Sequence, residues 1–429
     1  MKTSNPLLSL VEKRKNGIFT GIPSFCSANK LVIEAILDQS KRFDDKVVIE
    51  ATSNQVNQFG GYFNMTSKGF RDYVYDIADS IGYDKSNIIL GGDHLGPQPW
   101  QDESEEMAME KAKELVRQSV MAGFIKIHLD TSMRLGDDDP QMPLTDATIA
   151  RRGAVLMKEA ESAYLEYASV HADTTHPVFV IGSEVPIPGG AQNAEGLEIT
   201  RPECFEATLL AYRTEFDRIG IADLWKYVIA IVVQPGVEFG ESDIHKYSRY
   251  ASRRLCDKLK EYPDIVFEGH STDYQSPESL KEMVEDGIAI IKVGPALTFA
   301  VREALFALSY IERELVDDDS QRAHFIETLE QVMVDDPKNW CKYYHGTPKE
   351  QAISRKYSYS DRCRYYLCNP AVESAIEKLF ANLDSMDIPM GMLKQYLPYQ
   401  YIRVRDGRVQ KRARDLVKDN VVMIVVCVV

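Results

Sequence analysis

Eight short β-branched runs, each bounded by Gly, Pro, Asn or Ser, alternate with segments whose apolar residues fall at helical spacing. Polar and charged residues recur at the ends of those runs. Together these observations predict an α/β chain: a (β/α)8 TIM barrel over residues 1–311, with a helical C-terminal extension over 312–429 packed on it. A doubly wound open sheet is the alternative, because periodicity does not report closure.

The runs are GIFTGIPS (17–24), KVVIEAT (46–52), NIILGGD (87–93), FIKIHLD (124–130), PVFVIGSEV (177–185), YVIAIVVQ (227–234), DIVFEGH (264–270) and IAIIKVG (288–294). Helical spacing appears at 28–43, 69–82, 105–123, 147–168, 277–287 and 295–316. Beyond the last of these the chain turns aromatic and helical, in NWCKYYHG (339–346), KYSYSDRCRYYLCNPAVESAIEKLFANL (356–383) and MLKQYLPYQY (392–401). The terminal VVMIVVCVV is about half of the roughly 20 residues a membrane helix needs, and reads as a terminal strand or tucked-in tail.

Fifty basic against 65 acidic side chains give a net charge of -15, which argues against nucleic acid and membrane as partners. A phosphorylated ligand would need a local pocket of cations or backbone N–H groups. For the same reason the aromatic and basic stretch 356–368 reads as a buried or subunit-contacting cluster, with self-association left open. Seven scattered cysteines without paired C-x-x-C spacing read as reduced thiols. No secretory signal is visible at the N-terminus, so a cytoplasmic protein is expected.

In a barrel of this type, chemistry sits at the C-terminal ends of the strands. Glu50 closes the second run, Asp93 and His94 the third, His128 and Asp130 the fourth, and Glu184 the fifth. Gln234 closes the sixth, Glu268 and His270 the seventh, and Lys292 the eighth; Asp273 follows in the seventh loop. In FIKIHLD, Lys126, His128 and Asp130 share one face of the strand and would look inward. Any one of them alone is accounted for by a satisfied core ion pair; their convergence points to a site.

Two imidazoles and a carboxylate from different strands, His94, His270 and Glu184, form a candidate divalent-metal set of the zinc type. Asp93, Asp130 and Glu268 are then candidates for proton transfer, and Glu50, His128, Gln234, Asp273 and Lys292 for substrate contact. Such a set suits aldol cleavage or epimerisation of a sugar or sugar phosphate. Lys292 has three readings: contact with phosphate or carboxylate, structural pairing, or a Schiff-base amine. The Gly/Pro loops at 182–192, 233–240 and 292–298 could offer N–H groups to an oxyanion, and no Walker pattern supports nucleotide-dependent phosphoryl transfer.

GGDHLGP, IKIHLDTSM, GSEVPIPGGAQ, VVQPGVEFG, FEGHSTDYQ, IKVGPALTFAVREALFAL, LEQVM, KYYHG and YSYSDRCRYY together resemble the D-tagatose-1,6-bisphosphate aldolase accessory subunit family of the GatZ/KbaZ type. The resemblance implies a barrel related to class II aldolases and a place in galactitol or amino-galactose catabolism. It also implies a non-catalytic subunit that sustains the activity and stability of a separate metal-dependent aldolase subunit. Some relatives carried an older label of tagatose-6-phosphate kinase, which the missing phosphate-binding motif argues against here; others look like sugar epimerases. In class II aldolases an Asp-His pair at a strand end supplies the proton-transfer acid and a zinc ligand, and Asp93-His94 matches it by position and type. The apolar finish departs from the family's more polar, acidic one.

Overall fold

A computed structural model describes residues 4–42, 46–184 and 197–428. Its centre is a closed barrel of eight parallel strands: β1 (Ile22–Cys26), β2 (Val47–Thr52), β3 (Ile88–Leu95), β4 (Lys126–Leu129), β5 (Val178–Ile181), β6 (Val228–Val233), β7 (Val266–Gly269) and β8 (Ile288–Val293). Each strand pairs with its neighbours in sequence, and β8 closes onto β1 with Ile22 opposite Ile290 and Ser24 opposite Lys292. The open-sheet alternative is thereby excluded.

Side-chain parity sorts the barrel interior into layers. Val48, Ile89, Val178, Val180, Val232, Val266 and Ile290 fill the bottom, and the N-terminal helix α1 (Leu8–Lys15) plugs it with Leu10 and Val11. One step along the same faces, Glu50, Lys126, Glu268 and Lys292 replace the apolar layer with charge. The next step carries Asp93, His128 and His270. Apolar residues of opposite parity, such as Ile49, Ile127, Phe179 and Phe267, lie under the surrounding helices.

Those helices include α2 (Lys30–Ser40), α3 (Ser67–Ile81), α4 (Glu105–Met121), α5 (Asp146–Val170), α6 (Pro202–Arg218), α7 (Arg249–Leu259), α8 (Pro277–Glu285) and α9 (Pro295–Leu315). Sequence periodicity had not named α6 or α7. The expected boundary at 311/312 falls inside α9, after which α10 (Phe325–Asp335), α11 (Pro348–Tyr357), α12 (Pro370–Asp384), α13 (Met390–Tyr396) and α14 (Pro398–Arg405) form the extension.

The last element decides between the strand and the tucked-in tail in favour of the tail. Ala413–Val428 is a helix, α15, lying on α2 and α9, with Leu416, Val417, Val421 and Val425 buried. Val417, Val421 and Val425 are spaced by four and share the helix face turned to the barrel. β-Branched composition suggested a strand, and the apolar groove between two helices overrides that preference. No helix among the described residues is long and apolar enough to cross a membrane.

Candidate metal centre

Glu50 stands opposite Gly91 in the barrel register, and Gly91 stands opposite Lys126. A Cβ at Gly91 would lie 2.5 Å from Glu50 Oε1, so the glycine leaves the space that the carboxylate crosses to reach Lys126 Nζ at 2.7 Å. From there an alternating chain of charge runs around the interior. Lys126 also pairs with Glu268 Oε2 at 2.7 Å; Lys292 pairs with Glu50 and, at 2.7 Å, with Asp93 Oδ1. Ser24 Oγ donates to Glu50 Oε2 at 2.6 Å.

Three imidazoles stand on this layer. The ring centroids of His94, His128 and His270 form a nearly equilateral triangle with sides of 4.9, 5.0 and 5.1 Å, each pair edge to face. One nitrogen of each is held by the protein. His94 Nδ1 lies 2.7 Å from Asp130 Oδ2, and His270 Nε2 lies 2.9 Å from Glu268 Oε1. His128 Nδ1 lies 2.9 Å from Asp93 Oδ1 and 3.1 Å from the backbone N–H of His94. Asp130 is oriented in turn by the N–H and hydroxyl of Ser132.

By elimination, the remaining nitrogens are His94 Nε2, His128 Nε2 and His270 Nδ1. His128 Nε2 is fully buried without a hydrogen-bond partner among the described residues. Asp93, His94, His128 and His270 each offer a ligand atom, and these atoms lie within 4.8 Å of one another. Carboxylate-backed imidazoles with one nitrogen left over are the arrangement by which proteins orient metal ligands. His94 stands at φ 48°, in the left-handed region that few side chains adopt without cost.

Charge balance agrees with a cation. Burial opposes ionisation of Glu50, Asp93, Asp130 and Glu268, but the neighbouring ammonium groups and imidazoles outweigh it and hold all four below the usual carboxylate range. Burial likewise opposes the charge on Lys292, and Asp93, Glu50 and Glu268 outweigh it. Four carboxylates against the two ammonium groups of Lys126 and Lys292 leave two negative charges beside the imidazoles. Burial opposes protonation of His94, but Asp93 and Asp130 outweigh it and raise the ring above the ordinary imidazole range, so its proton offsets one of those charges until a cation takes its place. Burial pushes His270 down to about 4, so its ring is neutral and available as a ligand near neutral pH.

Above the triangle opens a pocket lined by Cys26, Gln55, Asp93, His94, His270, Asp273, Lys292, Arg364 and Tyr365, among others. Of the expected substrate contacts, Asp273 and Lys292 border it. Asp273 Oδ1 accepts the N–H groups of Gly294 and Ala296, at 3.0 and 2.8 Å, and so occupies the start of α9. Burial outweighs those hydrogen bonds and pushes its carboxyl up to about 6.

The fold therefore binds the Asp273 proton more tightly than the unfolded chain does. The resulting stabilisation is present at low pH and is lost as pH rises from about 4 through 6. The rise from 3.8 to about 6 corresponds to about 3 kcal/mol in all. Asp273→Asn removes that titration, so its stability relative to the parent is expected to improve by about 2 kcal/mol between pH 4 and pH 8, part of the change having already occurred below pH 4. Urea unfolding at the two pH values measures this, and a difference independent of pH would contradict it.

Several sequence expectations change on this geometry. Glu184, expected as a metal ligand, is exposed, with its carboxylate beside Cys204; His128 and Asp93 join the two expected histidines instead. Glu50, Glu268 and Asp130 are buried behind other groups and hold Lys126, Lys292, His270 and His94 in place. Asp93 is held ionised by Lys292 and the imidazoles, which makes it a poor proton donor. Gln234 organises its own turn, accepting the N–H groups of Gly236 and Val237.

Lys292, paired with two carboxylates and raised in pKa, has the opposite environment from a Schiff-base amine. The N–H groups of the 292–298 loop at Gly294 and Ala296 are already taken by Asp273. Most of the 182–192 loop lies outside the described residues. Sequence reasoning missed Lys126 as the hub of the charged layer, and missed Cys26, Arg364 and Tyr365 in the pocket wall. The concentration of Arg and Tyr in KYSYSDRCRYY was the available signal for the last two.

Residues 7–427 match the family model described as D-tagatose-1,6-bisphosphate aldolase subunit GatZ/KbaZ-like. The chain is 45% identical over 414 residues, 96% of each protein, to the D-tagatose-1,6-bisphosphate aldolase subunit GatZ of Escherichia coli O1:K1 / APEC. A crystal structure from Sinorhizobium meliloti 1021, described as a probable tagatose 6 phosphate kinase, is 43% identical with a TM-score of 0.86. That match covers 95% of this chain and 99% of the other.

Proposed function

Since the chain belongs to the D-tagatose-1,6-bisphosphate aldolase subunit GatZ/KbaZ-like family, we propose that it serves as the accessory subunit of a tagatose-bisphosphate aldolase and that its own barrel mouth binds a divalent metal and a sugar phosphate. The observation that carries the second half is the triangle of buried imidazoles, each backed by a carboxylate, with His94 and His270 lining the pocket and His128 beneath them. A barrel kept only as a docking body has no use for a net negative, imidazole-lined centre at the mouth. Zinc suits the three nitrogen donors and one carboxylate.

The chemistry such a cation supplies is Lewis-acid polarisation of a carbonyl oxygen. The chain's own residues do the rest. His94, His128, His270 and Asp93 would hold the ion, while Asp130 and Glu268 fix the imidazoles. Lys292 keeps Asp93 ionised. Asp273 is the pocket carboxyl whose proton affinity lies near neutrality, and we assign it the proton transfer.

The mouth also supports a second reading, a stand-alone ketose-phosphate epimerase or aldolase. Both are tested by metal analysis of the purified chain followed by assays with tagatose 1,6-bisphosphate and ketohexose 6-phosphates, alone and with the catalytic aldolase subunit. Stimulation of the partner by a chain inert by itself supports the accessory role. Turnover by the metal-loaded chain alone supports the second reading. A chain that binds no divalent metal overturns the metal centre under either.

A further inference from the structure

The C-terminal extension reaches the barrel mouth and supplies one wall of the pocket. Its segment 358–368 is anchored on three sides. Asp361, in the left-handed region at φ 43°, accepts from Thr298 Oγ1 at 2.7 Å and Arg302 Nε at 2.9 Å on α9. Tyr274, in the loop after β7, donates to the carbonyl of Tyr359 at 2.7 Å. The Tyr365 ring packs edge-on against Tyr62, in the loop after β2, with centroids 4.7 Å apart. The short turn between these anchors, Arg362–Tyr365, brings Arg364 to the pocket.

Arg364 is buried, and among the described residues no carboxylate pairs with it. Lys292, the other permanently cationic side chain in the pocket wall, is consumed by Glu50 and Asp93. The Arg364 guanidinium donates from Nη1 to the carbonyls of Ser360 and Asp361, and from Nη2 to the Tyr365 hydroxyl at 2.9 Å. A guanidinium has five N–H donors. The three bonds fix the plane of the group and leave Nε–H and one N–H on Nη2 without a hydrogen-bond partner among the described residues. Asp361 and Asp273 act on the guanidinium only from beyond ion-pair distance, so no carboxylate satisfies its two remaining donors and a ligand anion can. Adjacent donors of this kind match the paired oxygens of a phosphate.

The other expected anion site is closed, because Asp273 already takes the N–H groups of Gly294 and Ala296 at the start of α9. We infer that Arg364 is the phosphate-binding residue of this pocket and selects a phosphorylated ketose over the free sugar, with Tyr365 holding its guanidinium. The inference rests on the proposed binding of a sugar phosphate at the mouth. In a chain of net charge -15, it names the local cation that such a ligand requires.

The test is calorimetric titration of the full chain with tagatose 6-phosphate, tagatose, tagaturonate and inorganic phosphate, for the parent, Arg364→Gln and Arg364→Lys. The parent is expected to bind tagatose 6-phosphate at least about 10-fold tighter than tagatose, with inorganic phosphate competing. Arg364→Gln is expected to weaken the phosphorylated sugar by about 20-fold or more while metal content and tagatose affinity hold. Arg364→Lys keeps the charge but loses the fork, and an intermediate loss of about 5-fold is expected.

If Arg364→Gln does not fold, Arg364→Lys decides alone: phosphate affinity equal to the parent's overturns the inference. Tighter binding of tagaturonate than of tagatose 6-phosphate also overturns it, by assigning the guanidinium to a carboxylate. A metal-free, inactive chain that still binds inorganic phosphate through Arg364 would retain this site and sink the metal centre instead. A metal-loaded, active chain whose phosphate binding ignores Arg364 would do the reverse.

Discussion

Replacing His94 by asparagine is expected to abolish binding of the divalent metal proposed for the barrel mouth while leaving the chain folded. Asparagine is chosen because residue 94 sits at φ 48°, a conformation that Asn tolerates better than most side chains. What disappears is the imidazole whose Nδ1 is held by Asp130 and whose Nε2 lies 3.7 Å from Asp93 Oδ2. Loss of an outer partner alone typically costs 10–100-fold in metal affinity, which is the range expected for Asp130→Asn. Loss of the ligand itself is expected to exceed about 100-fold. Elemental analysis after dialysis, with chelator competition for affinity, measures both variants. A His94→Asn chain that retains the parent's metal would remove His94 from the centre.

That centre was partly visible in the amino-acid order. The eight β-branched runs and the polar residues at their ends placed Asp93, His94, His128 and His270 at one mouth, because the rule linking strand ends to chemistry is local. Parity along FIKIHLD also turned Lys126 and His128 inward. The partners of those residues were not visible. That Glu50 bonds Lys126, 76 residues away, depends on barrel register and on the missing side chain at Gly91.

Glu184 was chosen as a ligand because it ends a run, but β5 stops at Ile181 and the carboxylate lies outside the barrel's inner face, exposed. Arg364 lay beyond any strand-end rule, since the extension delivers it from 72 residues after the last strand-end candidate, Lys292. The helical fate of Val421–Val428 was hidden by a nine-residue window, too short to show the four-residue spacing that runs back to Val417.

The charged layer beneath the imidazoles sets the second large expectation, that Lys126→Met destabilises the fold by about 3–5 kcal/mol. Lys126 and its two carboxylate partners are all fully buried, with Nζ 2.7 Å from both Glu50 and Glu268. Methionine fills much the same volume, so packing is nearly preserved and the lost term is electrostatic. Glu50 keeps Lys292 and Ser24, and Glu268 keeps His270, but the layer then carries one more uncompensated negative charge in a site that water does not reach. Removing the charge on Glu268 as well should restore part of the loss, so Lys126→Met/Glu268→Gln is expected to be more stable than the sum of its single changes. Lys68→Met breaks an exposed pair with Asp72 and is expected to cost less than about 1 kcal/mol, which controls for the generic loss of a lysine. Urea unfolding of the parent, Lys126→Met, Glu268→Gln, the double variant and Lys68→Met measures the set. A loss below about 1 kcal/mol at Lys126 would mean that the layer is hydrated or its carboxylates protonated, and the two negative charges invoked to attract a divalent cation would go with it.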